Sequence, residues 1–166
     1  MNRAGIGGVL KHFPGYGNNL NTHTGISLDE RPYETFETSD FLPFQAGIQA
    51  GADAVLVSHN IVTSMDESLP ASLSPAVHQI LRDTLGFDGV ILTDDLAMDA
   101  IDQYAREGSA AVLALQAGND MVVTTDFTQQ IPQVLQALAD GTLSQEVIDR
   151  AAARVLGWKY DLGLLS

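Results

Sequence analysis

Ala50-Gly51-Ala52-Asp53-Ala54-Val55-Leu56-Val57 decides how the rest of the chain is read. Before it, Phe41 to Ala50 carries apolar residues at helical spacing, with Pro43 placed in the first turn and Gly51 standing at the C′ position where a helix stops. After it, Ala54–Val57 is apolar without polar alternation, as in a parallel strand buried on both faces. The same order returns at Ala117-Gly118-Asn119-Asp120-Met121-Val122, where a helix from Ala110 closes on Gly118 and a strand follows at Asp120 to Thr124. Gly7 to Phe13 and Gly89 to Thr93 supply two more β-rich runs. Ser74 reads as an N-cap with Pro75 behind it, opening a helix that closes before Gly86. Two further helices are expected from about Thr128 to Ala139 and from about Ser144 to Tyr160, while Tyr16 to about Ser39 and Ser58 to Leu73 read as loops. The first of those loops is too long for a routine turn and therefore reads as functional.

A helix between two strands returns the chain to the same end of the sheet, so four strand-to-helix units imply parallel pairing with right-handed crossovers. The fold class is α/β, a parallel (βα)4 arrangement in a single domain over residues 1–166.

Composition removes several classes of function. The chain has 166 residues with 8 Lys and Arg against 21 Asp and Glu, a net charge of −13, and no cysteine. Thiolate zinc sites, disulfide frameworks and cysteine nucleophiles are excluded. Nucleic acid is not an expected partner, because phosphate binding draws on clustered Lys and Arg and the only lysines are Lys11 and Lys159. No apolar run approaches the roughly 20 residues of a membrane span, and Met1 to Gly5 lacks the apolar core of a secretory signal. A cytoplasmic protein without membrane contact is expected.

In such a sheet the loops at the carboxyl ends of the strands open on one face, and chemistry gathers there. The polar residues at those ends are Lys11-His12, Ser58-His59, Asp94-Asp95 and Thr124-Thr125. Neighbouring side chains on a strand point oppositely, so Asp94 and Asp95 cannot both enter one cleft. One is a candidate nucleophile or metal ligand, the other a capping or loop-anchoring group. No His-Glu-x-x-His or calcium-loop spacing is present, so neither a metal nor another cofactor is expected. His59 has a structural and a substrate-contact reading; His78 is expected at the surface, and Trp158 and Tyr160 as packing anchors.

Lys11-His12-Phe13-Pro14-Gly15-Tyr16-Gly17-Asn18, Asn21-Thr22-His23-Thr24-Gly25, Pro70-Ala71-Ser72-Leu73-Ser74 and Gly86 to Met98 (GFDGVILTDDLAM) occur in the order that resembles family 3 glycoside hydrolases, in particular their β-N-acetylglucosaminidase branch. The resemblance runs from about Gly7 to about Lys159. It implies a TIM-type (β/α)8 barrel, no metal, and retaining hydrolysis of terminal N-acetyl-β-glucosaminides, with an N-acetylglucosamine-containing saccharide as partner. Asp94 matches the nucleophile and His23 the general acid/base, a role an imidazole suits because it titrates near neutral pH. Lys11 and His12 match residues that hold sugar hydroxyls, and Asn21 and His59 complete the candidate substrate side.

Asn21 replaces the family's usual Asp two residues before the acid/base, which removes a charge that would orient and stabilise the imidazolium. Tyr16 and Asn18 replace the commoner His and Asp of the Pro-Gly-His-Gly-Asp string. The chain is also short: such barrels run about 250 residues, and this one matches only strands five to eight, a half-barrel whose opening residues read as the tail of a helix. The sugar-gripping arginine and aspartate of the first four strands have no counterpart. Two uncovered edges would remain, at the Lys11 strand and the Met121 strand, so a homo-oligomer formed through them is expected. The alternative to an active glycosidase is a catalytically silent half-barrel that self-associates or binds saccharide without turnover.

Overall fold

The structure is a computed structural model, and it describes residues 5–17, 27–98, 101, 104 and 109–165. Four strands form one parallel sheet: β1 (Val9–Phe13), β3 (Ala54–Val57), β5 (Val90–Asp95) and β6 (Met121–Val123), in the order β1-β3-β5-β6. A second, two-stranded parallel sheet joins β2 (Leu28–Asp29) to β4 (Ile61–Val62). The helices are α1 (Tyr33–Thr35), α2 (Phe41–Gln49), α3 (Pro75–Gln79), α4 (Ala110–Ala117), α5 (Phe127–Ala139) and α6 (Gln145–Asp161).

The expected strands are present, and β5 runs two residues beyond Thr93, which puts Asp94 and Asp95 inside the strand. Ser74 caps α3 by accepting the Val77 N–H, and Ser109 and Ser144 cap α4 and α6 in the same way. Gly118 closes α4 at φ +117, a conformation in which a side chain would be strained.

Some expectations fail. The helix expected from Phe41 begins at Tyr33, because a π-turn at Phe36–Asp40 joins α1 to α2, and Pro43 therefore lies inside the helical run instead of in its first turn. Proline has no N–H to donate and its ring crowds the carbonyl four residues back, and the widened turn lies directly ahead of it. β2 and β4, two residues each, fall in stretches expected as loops. His78 is only 3% exposed, not at the surface, while Tyr160 is 69% exposed and packs as no anchor.

The main core lies on one side of the sheet. Phe13, Val55, Val57 and Ile91 meet Phe36, Phe41 and Phe44 of the first helical run, Val77 of α3 and Leu81 of the π-turn (Ile80–Thr84) that continues α3. Phe13 stacks on Phe41 at 5.7 Å and meets Phe44 edge-on at 5.2 Å. The alternate residues Leu56 and Leu92 face the other way and are only half-buried. Contrary to the expectation of strands buried on both faces, that second face is partly open. β1 and β6 are the sheet's edges, as expected. No helix among the described residues is long and apolar enough to cross a membrane.

Candidate active site

Parallel pairing brings the carboxyl ends of all four strands to one rim. Lys11 is exposed there at the edge, His12 is half-buried, and the His12 ring meets Tyr16 edge-on at 5.3 Å. The Lys11–His12 and Phe13–Pro14 peptide bonds are both cis. His23 and Asn21, the expected acid/base and its neighbour, lie outside the described residues, as does Asn18.

Asp94 and Asp95 separate as strand alternation requires. Asp95 anchors loops: its Oδ1 accepts the Ala97 N–H at 2.9 Å and the Thr125 N–H at 3.1 Å, tying β5 to the segment after β6. Asp94 is half-buried, and its Oδ1 accepts the Asp95 N–H at 2.9 Å. Among the described residues no hydrogen bond reaches Asp94 Oδ2, which leaves one carboxylate oxygen to act on a ligand. A carboxylate held by one oxygen and presenting the other can attack an electrophilic carbon.

His59 is placed differently from a substrate contact. It is fully buried, with Nδ1 2.7 Å from Ser72 Oγ and Nε2 2.9 Å from the Asp95 carbonyl oxygen. Burial and these two protein partners favour the structural reading of His59 over the substrate-contact one. Burial follows from contacts across 13 and 36 residues of chain. Beside it Ser58 Oγ donates to the Phe13 carbonyl at 3.0 Å and also meets Asn60 Oδ1, and Asn60 Nδ2 reaches the Gly15 carbonyl at 3.4 Å.

An ion-pair cluster that the sequence reading missed sits beside the start of the long loop. Arg31 donates to Asp29 at 2.8 Å and to Asp40 at 3.0 Å. Hydrogen bonding to Asp29, opposed by burial and reinforced by Asp40, raises the guanidinium's pKa above its ordinary value. Gly15, at φ +131, packs so closely on the Asp40 carboxylate that a Cβ there would collide with it. The loop's amino-terminal arm, Pro14 to Gly17, is thereby clamped against the helix that follows the loop. The signal in the sequence was faint: acids two residues before and nine after a single arginine.

Away from the rim, at the opposite end of the sheet, Asp120 is held by Arg82 at 2.6 Å, by Arg154 at 3.1 Å and by the Ile91 N–H at 2.9 Å. Three His, Asp or Glu side chains do not converge on any one point among the described residues.

Residues 1–157 match the glycosyl hydrolase family 3 N-terminal domain. A β-hexosaminidase of Xanthomonas campestris pv. campestris is 36% identical over 160 residues, which are 95% of this chain and 48% of that protein. The chain thus spans about half the length of the curated relatives it matches. A family 3 β-N-acetylglucosaminidase from Paenibacillus superposes with a TM-score of 0.91 at 34% identity, covering 98% of this chain and 32% of that one. The β-N-acetylglucosaminidase of Thermotoga maritima gives 0.83 at 26% identity, over 97% of this chain and 36% of its own.

Proposed function

The chain belongs to glycoside hydrolase family 3, and from that premise we propose that it is the second half of a TIM-type (β/α)8 barrel whose rim hydrolyses terminal N-acetyl-β-D-glucosaminides with retention of configuration. The observation that carries this reading is the state of Asp94: it lies at the carboxyl end of a central strand, half-buried, with Oδ1 fixed by a backbone N–H and Oδ2 left for substrate. In the first step Asp94 Oδ2 attacks the anomeric carbon and the bond to the leaving oxygen breaks, while His23 gives that oxygen its proton. In the second, His23 takes a proton from water, the water oxygen attacks the same carbon, and the bond to Asp94 breaks. Two inversions restore the starting configuration. Lys11, His12 and Asn21 are assigned to sugar hydroxyls, and His59 to positioning.

A chromogenic N-acetyl-β-glucosaminide tests the proposal directly. The chain is expected to release the chromophore, and Asp94→Ala to abolish release by at least about 10^3-fold, about 4 kcal/mol of transition-state stabilisation. Undiminished release from Asp94→Ala overturns the assignment.

The half-open sheet face favours a second reading, in which the chain self-associates and binds saccharide without turnover. Val123 on the β6 edge is 37% exposed, and Phe127, Ile131 and Leu135 form an apolar stripe on α5 at 57%, 56% and 60% exposure. Phe127–Ala139 contains no charged residue, so two copies of a chain carrying −13 would meet there with least repulsion. Sedimentation at micromolar concentration tests it: twice the chain mass supports pairing, and a single-chain mass removes it.

A further inference from the structure

The hydrogen bonds around His59 form a continuous brace that ends on the nucleophile's neighbour. The Asp95 carbonyl can only accept, so His59 Nε2 carries the proton across that 2.9 Å contact. In the neutral ring Nδ1 is then an acceptor, and the Ser72 hydroxyl donates to it at 2.7 Å. Ser72 is itself fixed at both backbone groups. Its N–H donates to the Ser58 carbonyl at 2.9 Å, and its carbonyl accepts Asn119 Nδ2 at 2.8 Å. Asn119 Nδ2 also donates to the Ala114 carbonyl at 2.7 Å, and Asn119 is 1% exposed. The end of β3, the turn at Ala71–Leu73, the carboxyl end of α4 and the end of β5 are thus tied through three buried side chains.

What this brace holds is residue 95. With its carbonyl pinned by His59 and its carboxylate pinned by Ala97 and Thr125, Asp95 has little freedom to rotate, and its N–H is aimed at Asp94 Oδ1. A nucleophile misplaced by an ångström can lose about 10^2-fold in rate.

We propose that His59, set by Ser72 and Asn119, is a positioning residue: it fixes Asp95 so that Asp94 is held by Oδ1 and attacks through Oδ2. The kinetic part rests on the glycosidase reading above; the structural part does not.

The test uses the whole chain, labelled with 15N, and two variants. In the unaltered protein His59 is expected as the neutral Nε2–H tautomer, and the Asp95 amide proton is expected at the low-field position of an amide bonded to a carboxylate, a position that Asp94→Asn moves. Ser72→Ala removes the donor to Nδ1; it is expected to shift the Asp95 amide resonance and to lower kcat about tenfold with KM little changed. Ser74→Ala removes a helix cap two residues away without touching His59 and is expected to leave that resonance and the kcat in place. An Asp95 amide indifferent to Asp94, an Nδ1–H tautomer, or equal kcat losses in Ser72→Ala and Ser74→Ala overturns the proposal. If Ser72→Ala fails to fold, the two resonances of the unaltered chain still decide it. A chain that binds sugar but turns none over refutes the glycosidase reading, while the Asp95 amide still judges the brace.

Discussion

Asp120 and Asp94 are the same residue type at opposite ends of one sheet, and the structure treats them in opposite ways. Asp120 has a side chain only 3% exposed and both oxygens occupied, Oδ2 by Arg82 and the Ile91 N–H, Oδ1 by Arg154. Asp94 is half-buried, and among the described residues a single backbone N–H holds one of its oxygens. A fully satisfied charge holds segments together and has no capacity left for a ligand. A partly satisfied one contributes little to stability and keeps an acceptor for chemistry. The amino-terminal end of this sheet therefore serves the fold, while the carboxyl-terminal rim, the end where parallel barrels place their chemistry, keeps an acceptor to spare among the described residues.

The comparison breaks most easily at Asp120. Asp120→Ala leaves two arginines and the Ile91 N–H without their acceptor, and a loss of about 3 kcal/mol is expected from urea unfolding. A loss below about 1 kcal/mol would mean that the amino-terminal end is no clamp.

A pH series sharpens the same contrast on a neighbouring buried group. Burial pushes the His78 imidazole's pKa below its ordinary value, against the upward pull of the hydrogen bond that Nδ1 donates to the Ser74 carbonyl and of the Asn119 side chain, and beside the charges of Arg82 and Asp120. The unfolded chain then binds the proton more readily, so this stability is present above about pH 6.5 and falls as the pH drops below it. Asp66 acts lower: burial raises its pKa, but the Ser74 hydroxyl and the Ser68 and Leu69 N–H groups outweigh that and leave it below the ordinary carboxylate value. Its contribution is present above about pH 3.9 and is lost as the pH falls further. His78→Gln should flatten the urea midpoint just below pH 6.5 and leave the lower limb; an unchanged slope there contradicts the assignment.

Smaller effects belong to the rim. Asp95→Ala removes the acceptor for two partly exposed backbone N–H groups and is expected to cost about 1 kcal/mol in thermal or urea unfolding. Asp94→Asn keeps the shape and one acceptor, and stability within about 0.5 kcal/mol of the parent is expected. A large loss would place Asp94 with Asp120 among the structural acids.

Much of the scaffold could be read from local pattern. Ala54–Val57 announced a buried strand by four apolar residues in a row, Ser74 and Pro75 announced a helix start, and Gly118 a helix end. The division of labour between Asp94 and Asp95 followed from strand alternation. The two-residue strands β2 and β4 had no period to display, and the start at Tyr33 was hidden because a π-turn breaks the helical spacing before Pro43. His78 looked like a helix-surface residue since nothing nearby in sequence announces that Gly118 and Asn119 cover it.

The sequence by itself determined the order of the four main strands and the helices that follow them, the rim on which polar groups collect, and the family, because each is written in short-range pattern and in motifs a few residues long. Tertiary structure alone decided that His59 is a buried brace, that Arg31 clamps the entry to the long loop, and that Asp120 rather than Asp94 is the satisfied acid. Those outcomes depend on which atoms meet across 9 to 38 residues of chain. A hydrogen-bonding group has the same letter in the sequence whether its partner is water or protein, and only packing chooses between them.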